Sequence, residues 1–275
     1  MTTKEDMNAT KATVRVSDTS DNESSKMNAP KHLARIAGLL YLVVGIFGGL
    51  TVGYATPRVY AAGDAATTRN ILANSGLVLF GVMADLLQAT AFIFLALALY
   101  ALLKDVNKNA ARAMVSLVAI ATAIMCINEI FQFSALGVAG DEPYAAAFGA
   151  AGLQSLVMLL MDMHHYGFLI AQIFFALWLV PLGYLAYQSG MFPKVLGVVL
   201  VAAGVSYLLD MIAAFLFPEI SMRIHGLLAI LPTIAEVWTL VYLLVVGVRN
   251  MKTTEPVKAT ITAGAYGHSL TATAV

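Results

Sequence analysis

Long apolar runs alternate with short polar connections along most of this chain. Six runs, residues 36–54, 76–103, 113–139, 166–187, 195–217 and 224–248, match the demands of a membrane crossing. A helix rising about 1.5 Å per residue needs about 20 residues to span a hydrocarbon core of about 30 Å. The polar connections at 104–112, 188–194 and 218–223 are too short for anything but antiparallel neighbours. The pattern therefore predicts an all-α fold, a polytopic transmembrane helical bundle of six spans occupying residues 31–250. The flanks lack any apolar period. Residues 1–30 read as a disordered cytoplasmic tail and 251–275 as a flexible one, because neither can bury enough surface to offset the entropy of ordering. Outside the spans, 63–75 and 143–162 are long enough for short interfacial helices, and the second can equally extend the fourth span outward.

Composition sharpens the class. Hydrophobic residues make up 60% of the chain and charged residues 12%, about half the charged share of an ordinary soluble domain. The net charge is zero, so there is no basic surplus for nucleic acid. The lone cysteine, Cys126, has no partner within the chain for a disulfide or a Cys-rich metal site. The placement of the 16 basic residues sets the expected orientation. Those preceding the first span, those in the 104–112 and 188–194 connections and those after the last span fall on one side, while Arg58, Arg69 and Arg223 fall on the other. The positive-inside rule then puts both termini in the cytoplasm of a multi-pass protein of the cell membrane. Basic residues ahead of the first span also suit a signal peptide. Its 19 uncharged residues exceed the usual core of about 7–15, and Pro57 and Arg58 come too early for a cleavage region.

Carboxylates inside apolar runs are the candidate chemistry. Asp85, Glu129, Asp210 and Glu236 lie within spans and Asp162 at the mouth of another, where a charge costs on the order of 3 kcal/mol or more. Each has polar company on its own helix face: Gln88 with Asp85, Gln132 with Glu129, His165 and Gln172 with Asp162, Tyr207 and Ser206 with Asp210, and Thr233 and His225 with Glu236. Counted from the cytoplasmic ends, Asp85, Glu129, Asp210 and Glu236 stand about 27, 24, 22 and 18 Å up. The economical arrangement turns these stripes toward one outward-opening vestibule above an apolar floor; the plain alternative is neutral or hydrogen-bonded polar glue between helices. Pro232 cannot donate to the Leu228 carbonyl, which frees an acceptor near Glu236, as in interrupted helices that coordinate ions, or simply kinks the helix. Pro181 has no acid nearby and reads as a kink. His165, His225 and Asp162 are the candidates for a mixed zinc or iron site, yet the chain has no H-E-x-x-H and no Cys pair, so neither a metal nor another cofactor is favoured. Gly45, Gly49 and Gly53 form a smooth strip that suits packing inside the bundle or, alternatively, an oligomer contact. The 85–129 and 162–210 hairpins, each with an acid near both outer ends, suggest a parallel duplication.

The strings Ala34-Arg35-Ile36-Ala37-Gly38-Leu39-Leu40-Tyr41, Gly63-Asp64-Ala65-Ala66 with Asn70-Ile71-Leu72-Ala73, and Ala84-Asp85-Leu86-Leu87 occur in order. They are followed by Met161-Asp162-Met163-His164-His165-Tyr166-Gly167, then Leu182-Gly183-Tyr184-Leu185 with Ser189-Gly190, Pro193 and Leu196-Gly197-Val198, and finally Tyr207-Leu208-Leu209-Asp210 and the Glu236–Trp238 region. In this series the chain resembles the bacterial integral-membrane family known as domain of unknown function 4386, over roughly residues 33–250. The resemblance implies a multi-span bacterial membrane protein and supplies no catalytic residues.

Three function classes fit the sequence. One is a transporter or channel whose acids bind or move a small cation, proton or polar solute. The second is a non-catalytic accessory or sensor protein. The third is a membrane-embedded metal-dependent hydrolase. Nucleotide-binding and serine-nucleophile motifs are absent, and a non-enzymatic role is the expectation.

Overall fold

A computed structural model describes residues 29–61 and 63–249. The two segments read as tails lie outside the described residues apart from positions 29 and 30. Among the described residues the fold is seven helices and no strand: α1 (Ala29–Val59), α2 (Asp64–Ala73), α3 (Ser75–Leu103), α4 (Lys108–Ala139), α5 (Glu142–Ser189), α6 (Lys194–Leu216) and α7 (Pro218–Val245). All except α2 are long and apolar enough to cross a membrane. α2 fills the 63–75 stretch as a short helix, and the 143–162 stretch joins the fourth span instead of forming a separate element.

Local chemistry sets the turns. Asn107 adopts an extended backbone and its Oδ1 accepts from the backbone N–H groups of Asn109 and Ala110, both at 3.1 Å, which caps α4. Gly190, at φ 66°, ends α5 in the left-handed region that glycine tolerates, and Pro193 precedes α6. Pro218 begins α7 immediately after Phe217, so the α6–α7 connection is tighter than the 218–223 loop read from sequence.

The helices are interrupted where backbone bonding is disturbed. α1 widens into a π turn at Thr51–Ala55. α5 has a non-helical residue, Gly149 at φ 68° and ψ 169°, so its first turns leave the axis of the rest. Pro181 breaks α5 at Trp178, the expected kink. Pro232 breaks α7 at Ala229. The Leu228 carbonyl that Pro232 leaves unpaired does not wait beside the acid: Ser206 of α6 donates its hydroxyl to it at 2.7 Å. A neighbouring hydroxyl is the cheapest remedy for a lost backbone bond in lipid, and it takes the acceptor away from any ion.

α4 packs between α3 and α5, and α6 between α5 and α7. α1 lies against the bundle through Ala34, Ala37 and Tyr41, with Tyr41 edge-on to Trp178. The contact of α5 with α6 is close because Gly183, Gly197 and Gly204 have no side chains. A Cβ on Gly183 would fall 2.6 Å from the Gly197 carbonyl oxygen, and one on Gly204 2.7 Å from that of Ala176. The Gly45, Gly49 and Gly53 strip takes the opposite role to the interior packing favoured from spacing. A Cβ on any of the three would meet nothing within 4 Å, and all three residues are exposed. Gly38 and Gly48 face the bundle instead, against Leu244 and Gln88. The helical phase explains the exchange, since a strip repeating every four residues marks one face without saying which face is inward.

These contacts predict unequal effects of one added methyl. Gly183→Ala should destabilise the protein by about 1–3 kcal/mol through overpacking, whereas Gly49→Ala should leave it unchanged. Thermal unfolding of the detergent-solubilised variants measures both, and equal melting temperatures would contradict the packing described.

Candidate functional site

Asp85 follows the start of α3 by ten residues, and Glu129 precedes the end of α4 by ten. At about 1.5 Å per residue the two carboxylates lie at one depth, about 15 Å in from the same side of the bundle. Both are buried, Asp85 at 8% and Glu129 at 6% exposure. α5 brings His164 to them. Its Nε2 lies 3.3 Å from Glu129 Oε1, and one donor atom from each of Asp85, Glu129 and His164 falls within 4.8 Å of the others.

The position of His164 is built by its neighbours. Asn128 donates its side-chain N–H to the His164 backbone carbonyl at 2.8 Å. It can do so only because residue 167 is glycine; a Cβ there would overlap Asn128 Oδ1 at 2.0 Å. On the other flank Thr51, within the π turn of α1, stands beside Asp85 while donating its hydroxyl to Phe47 O at 3.1 Å. One turn from the acids, Ala89, Met125 and Ala171 close the group from below. Above it lie Val78, Ala135, Val157 and Met161 with the Val59 and Ile71 side chains. The group therefore occupies a polar layer between two apolar ones.

The other acids have separate partners. Asp162 accepts from the Tyr60 hydroxyl at 2.5 Å, and the His165 ring packs near that tyrosine, centroids 6.3 Å apart. Burial, then the Asp162 bond, pushes the Tyr60 hydroxyl above its ordinary value, so it stays a donor. Asp210 is buried and takes two contacts, from Gln172 at 3.3 Å and from the exposed His225 at 2.8 Å. Glu236 lies near the Tyr207 and Tyr41 hydroxyls. Gln88 rests against Gly48 of α1, and Gln132 lies beside Gly81.

The five acids thus divide among four groups, where sequence spacing had suggested one vestibule. Asp85 and Glu129 come together; Asp162 bonds to Tyr60, Asp210 to Gln172 and His225, and Glu236 lies beside Tyr207. His165 and His225, paired as metal candidates on spacing, share no partner. His165 turns to Tyr60 and leaves His164, about 100° around the helix, to meet Glu129. Besides His164, the residues that spacing did not single out are Asn128, Gly167, Thr51 and Tyr60. Asn128 carried a usable signal, a second polar residue beside Glu129 in an apolar run.

Two buried acids share this layer without a strong base. Among the described residues both ion pairs are histidine–carboxylate, His164 with Glu129 and His225 with Asp210, and no lysine or arginine reaches either acid. Glu129 Oε2, Gln132 Oε1 and Asn128 Oδ1 are buried with no hydrogen-bond partner, as are Asp210 Oδ1 and the Tyr41 hydroxyl elsewhere in the bundle. Acceptor oxygens outnumber donors here, an arrangement suited to a cation or a proton.

These features define a polytopic helical membrane protein with a buried Asp–Glu–His group. The chain belongs to the family described as Domain of unknown function (DUF4386), whose model matches residues 36–247. No curated protein and no solved structure matches it.

The Asn128–Gly167 contact predicts strong coupling. Gly167→Ala should destabilise the bundle, and adding Asn128→Ala should recover part of the loss by making room for the methyl. A double-mutant cycle on thermal stability should give a coupling of about 0.5–3 kcal/mol; strict additivity would show that Asn128 does not hold α5.

Proposed function

We propose that this is a cell-membrane protein that takes a small cation into the Asp85–Glu129–His164 group from the side opposite its termini, and moves it or holds it there. The observation that carries this reading is Glu129 Oε2, buried and without a partner inside a group whose only basic member is one imidazole. A desolvated carboxylate oxygen left unpaired costs more than its hydrogen bond is worth, so such a group is retained where something positively charged visits it. The separate groups around Asp162, Asp210 and Glu236 then act as helix-to-helix contacts at the rim, not as one conduit. In this reading both termini are cytoplasmic, on the strength of the distribution of lysine and arginine, and the end of α4 faces outward.

Two experiments follow. In a Cys126→Ser background, Asp64→Cys should react with an impermeant maleimide in intact cells and Asn107→Cys only after permeabilisation; labelling of Asn107→Cys in intact cells would invert the topology. In proteoliposomes, Glu129→Gln should reduce uptake of protons, sodium, potassium or manganese by at least about tenfold, since one tenfold step corresponds to only about 1.4 kcal/mol, at unchanged protein abundance. Uptake equal to that of the unaltered protein for every one of these cations, or no uptake and no cation binding by the unaltered protein, would overturn the proposal.

A further inference from the structure

We propose that the Asp85–Glu129–His164 group is a binding site for a divalent transition-metal ion. The inference rests on the cation reading above and narrows it to a class of ion.

The donor set makes the choice. Two carboxylate oxygens alone would suit calcium, magnesium or a monovalent ion, which take oxygen ligands almost without exception. An imidazole nitrogen adds little for those ions and much for zinc, copper, iron or nickel. His164 presents Nε2 to Glu129 at 3.3 Å, so the nitrogen already points into the space between the acids. The three donor atoms lie within 4.8 Å of one another. Ligands at about 2.0–2.1 Å around a tetrahedral ion stand about 3.4 Å apart, so side-chain rotation over roughly an ångström completes the shell without moving a helix.

A second observation points to the same occupant. Glu129 Oε2 is buried with no partner, while its other oxygen faces His164. Asp210 Oδ1 is likewise unpaired, but there the carboxylate faces one exposed imidazole, whereas here a second carboxylate, Asp85, stands within reach of the same space. The surrounding parts behave as supports. Asn128 fixes the backbone of His164 through its carbonyl, leaving the imidazole free for a ligand. Thr51 of the π turn stands beside Asp85. π turns inside α-helices occur frequently at functional positions. Apolar side chains flank the layer on both sides, while the His164 side chain remains 18% exposed.

The test uses full-length protein in lipid nanodiscs, dialysed against cobalt or zinc and assayed by elemental analysis, with the visible spectrum of cobalt reporting its coordination. One equivalent should bind and give a cobalt spectrum of nitrogen and oxygen ligands. Glu129→Gln and His164→Ala should weaken binding by at least about 100-fold, the upper end of what outer-shell substitutions cost. His164→Ala keeps the Asn128 contact, which uses the backbone, so the fold is retained; matched thermal stability checks this. His165→Ala and Asp162→Asn, in the separate Tyr60 group, should bind as the unaltered protein does. Binding that is unchanged in His164→Ala, or that calcium or sodium displaces as readily as zinc does, overturns the metal assignment. Absence of cobalt and zinc binding, with Glu129-dependent uptake of a proton or monovalent ion intact, overturns this inference alone. Absence of both overturns the cation reading with it.

Discussion

An ionised carboxylate withdrawn from water loses on the order of several kcal/mol of solvation even after its surroundings relax. α3 and α4 each carry one such group to the same depth, Asp85 and Glu129, and the bundle gives them a single imidazole as basic company. Most of the unusual local features lie close to that pair. Asn128 precedes Glu129 and clamps α5 at His164; Gly167 makes the clamp possible; the π turn of α1 brings Thr51 to Asp85. Elsewhere the same helices meet through alanine, leucine and glycine, as apolar packing requires. The cost of the acids is confined to one layer, with apolar side chains above and below it.

The remaining polar residues show how a bundle contains its other charges. Tyr60 reaches from the end of α1 to Asp162, Gln172 and His225 share Asp210, and Tyr207 faces Glu236. Each pairing joins two helices, so each acid also fixes a register that leucine contacts alone would leave soft. Ser206 does comparable work on the backbone when it takes the Leu228 carbonyl exposed by Pro232. These contacts leave Asp210 Oδ1 buried without a partner, as Glu129 Oε2 is. The Asp85–Glu129–His164 group differs in that it brings two acids to one imidazole.

Much of the architecture was legible because hydrocarbon imposes one rule, that backbone groups bond within their own helix. Apolar run length therefore marked the six crossings, and Pro181 marked a real break. What sequence could not set was the rotation and sliding of one helix against another. His164 and His165 are adjacent, and spacing with Asp162 favoured His165; Tyr60, which comes from a connection more than a hundred residues away in the chain, claims that acid instead. The meeting of His164 with Glu129 depends on how α5 is set against α4, where Asn128 holds the His164 carbonyl. The glycine strip in α1 faces away from the interior for the related reason that periodicity defines a face and not its direction. Asp85 and Glu129 were recognisable as costly residues, yet only the α3–α4 contact makes them a pair.

The central claim is that these two carboxylates exchange something positive, and infrared difference spectroscopy of the protein in lipid reads carboxyl groups directly. Adding the bound cation should remove the stretch of a protonated carboxyl or shift that of a carboxylate, and Glu129→Gln should abolish the change while Asp162→Asn leaves it intact. A spectrum in which the carboxyl region is unaltered by any cation, or alters identically in Glu129→Gln, would contradict the account.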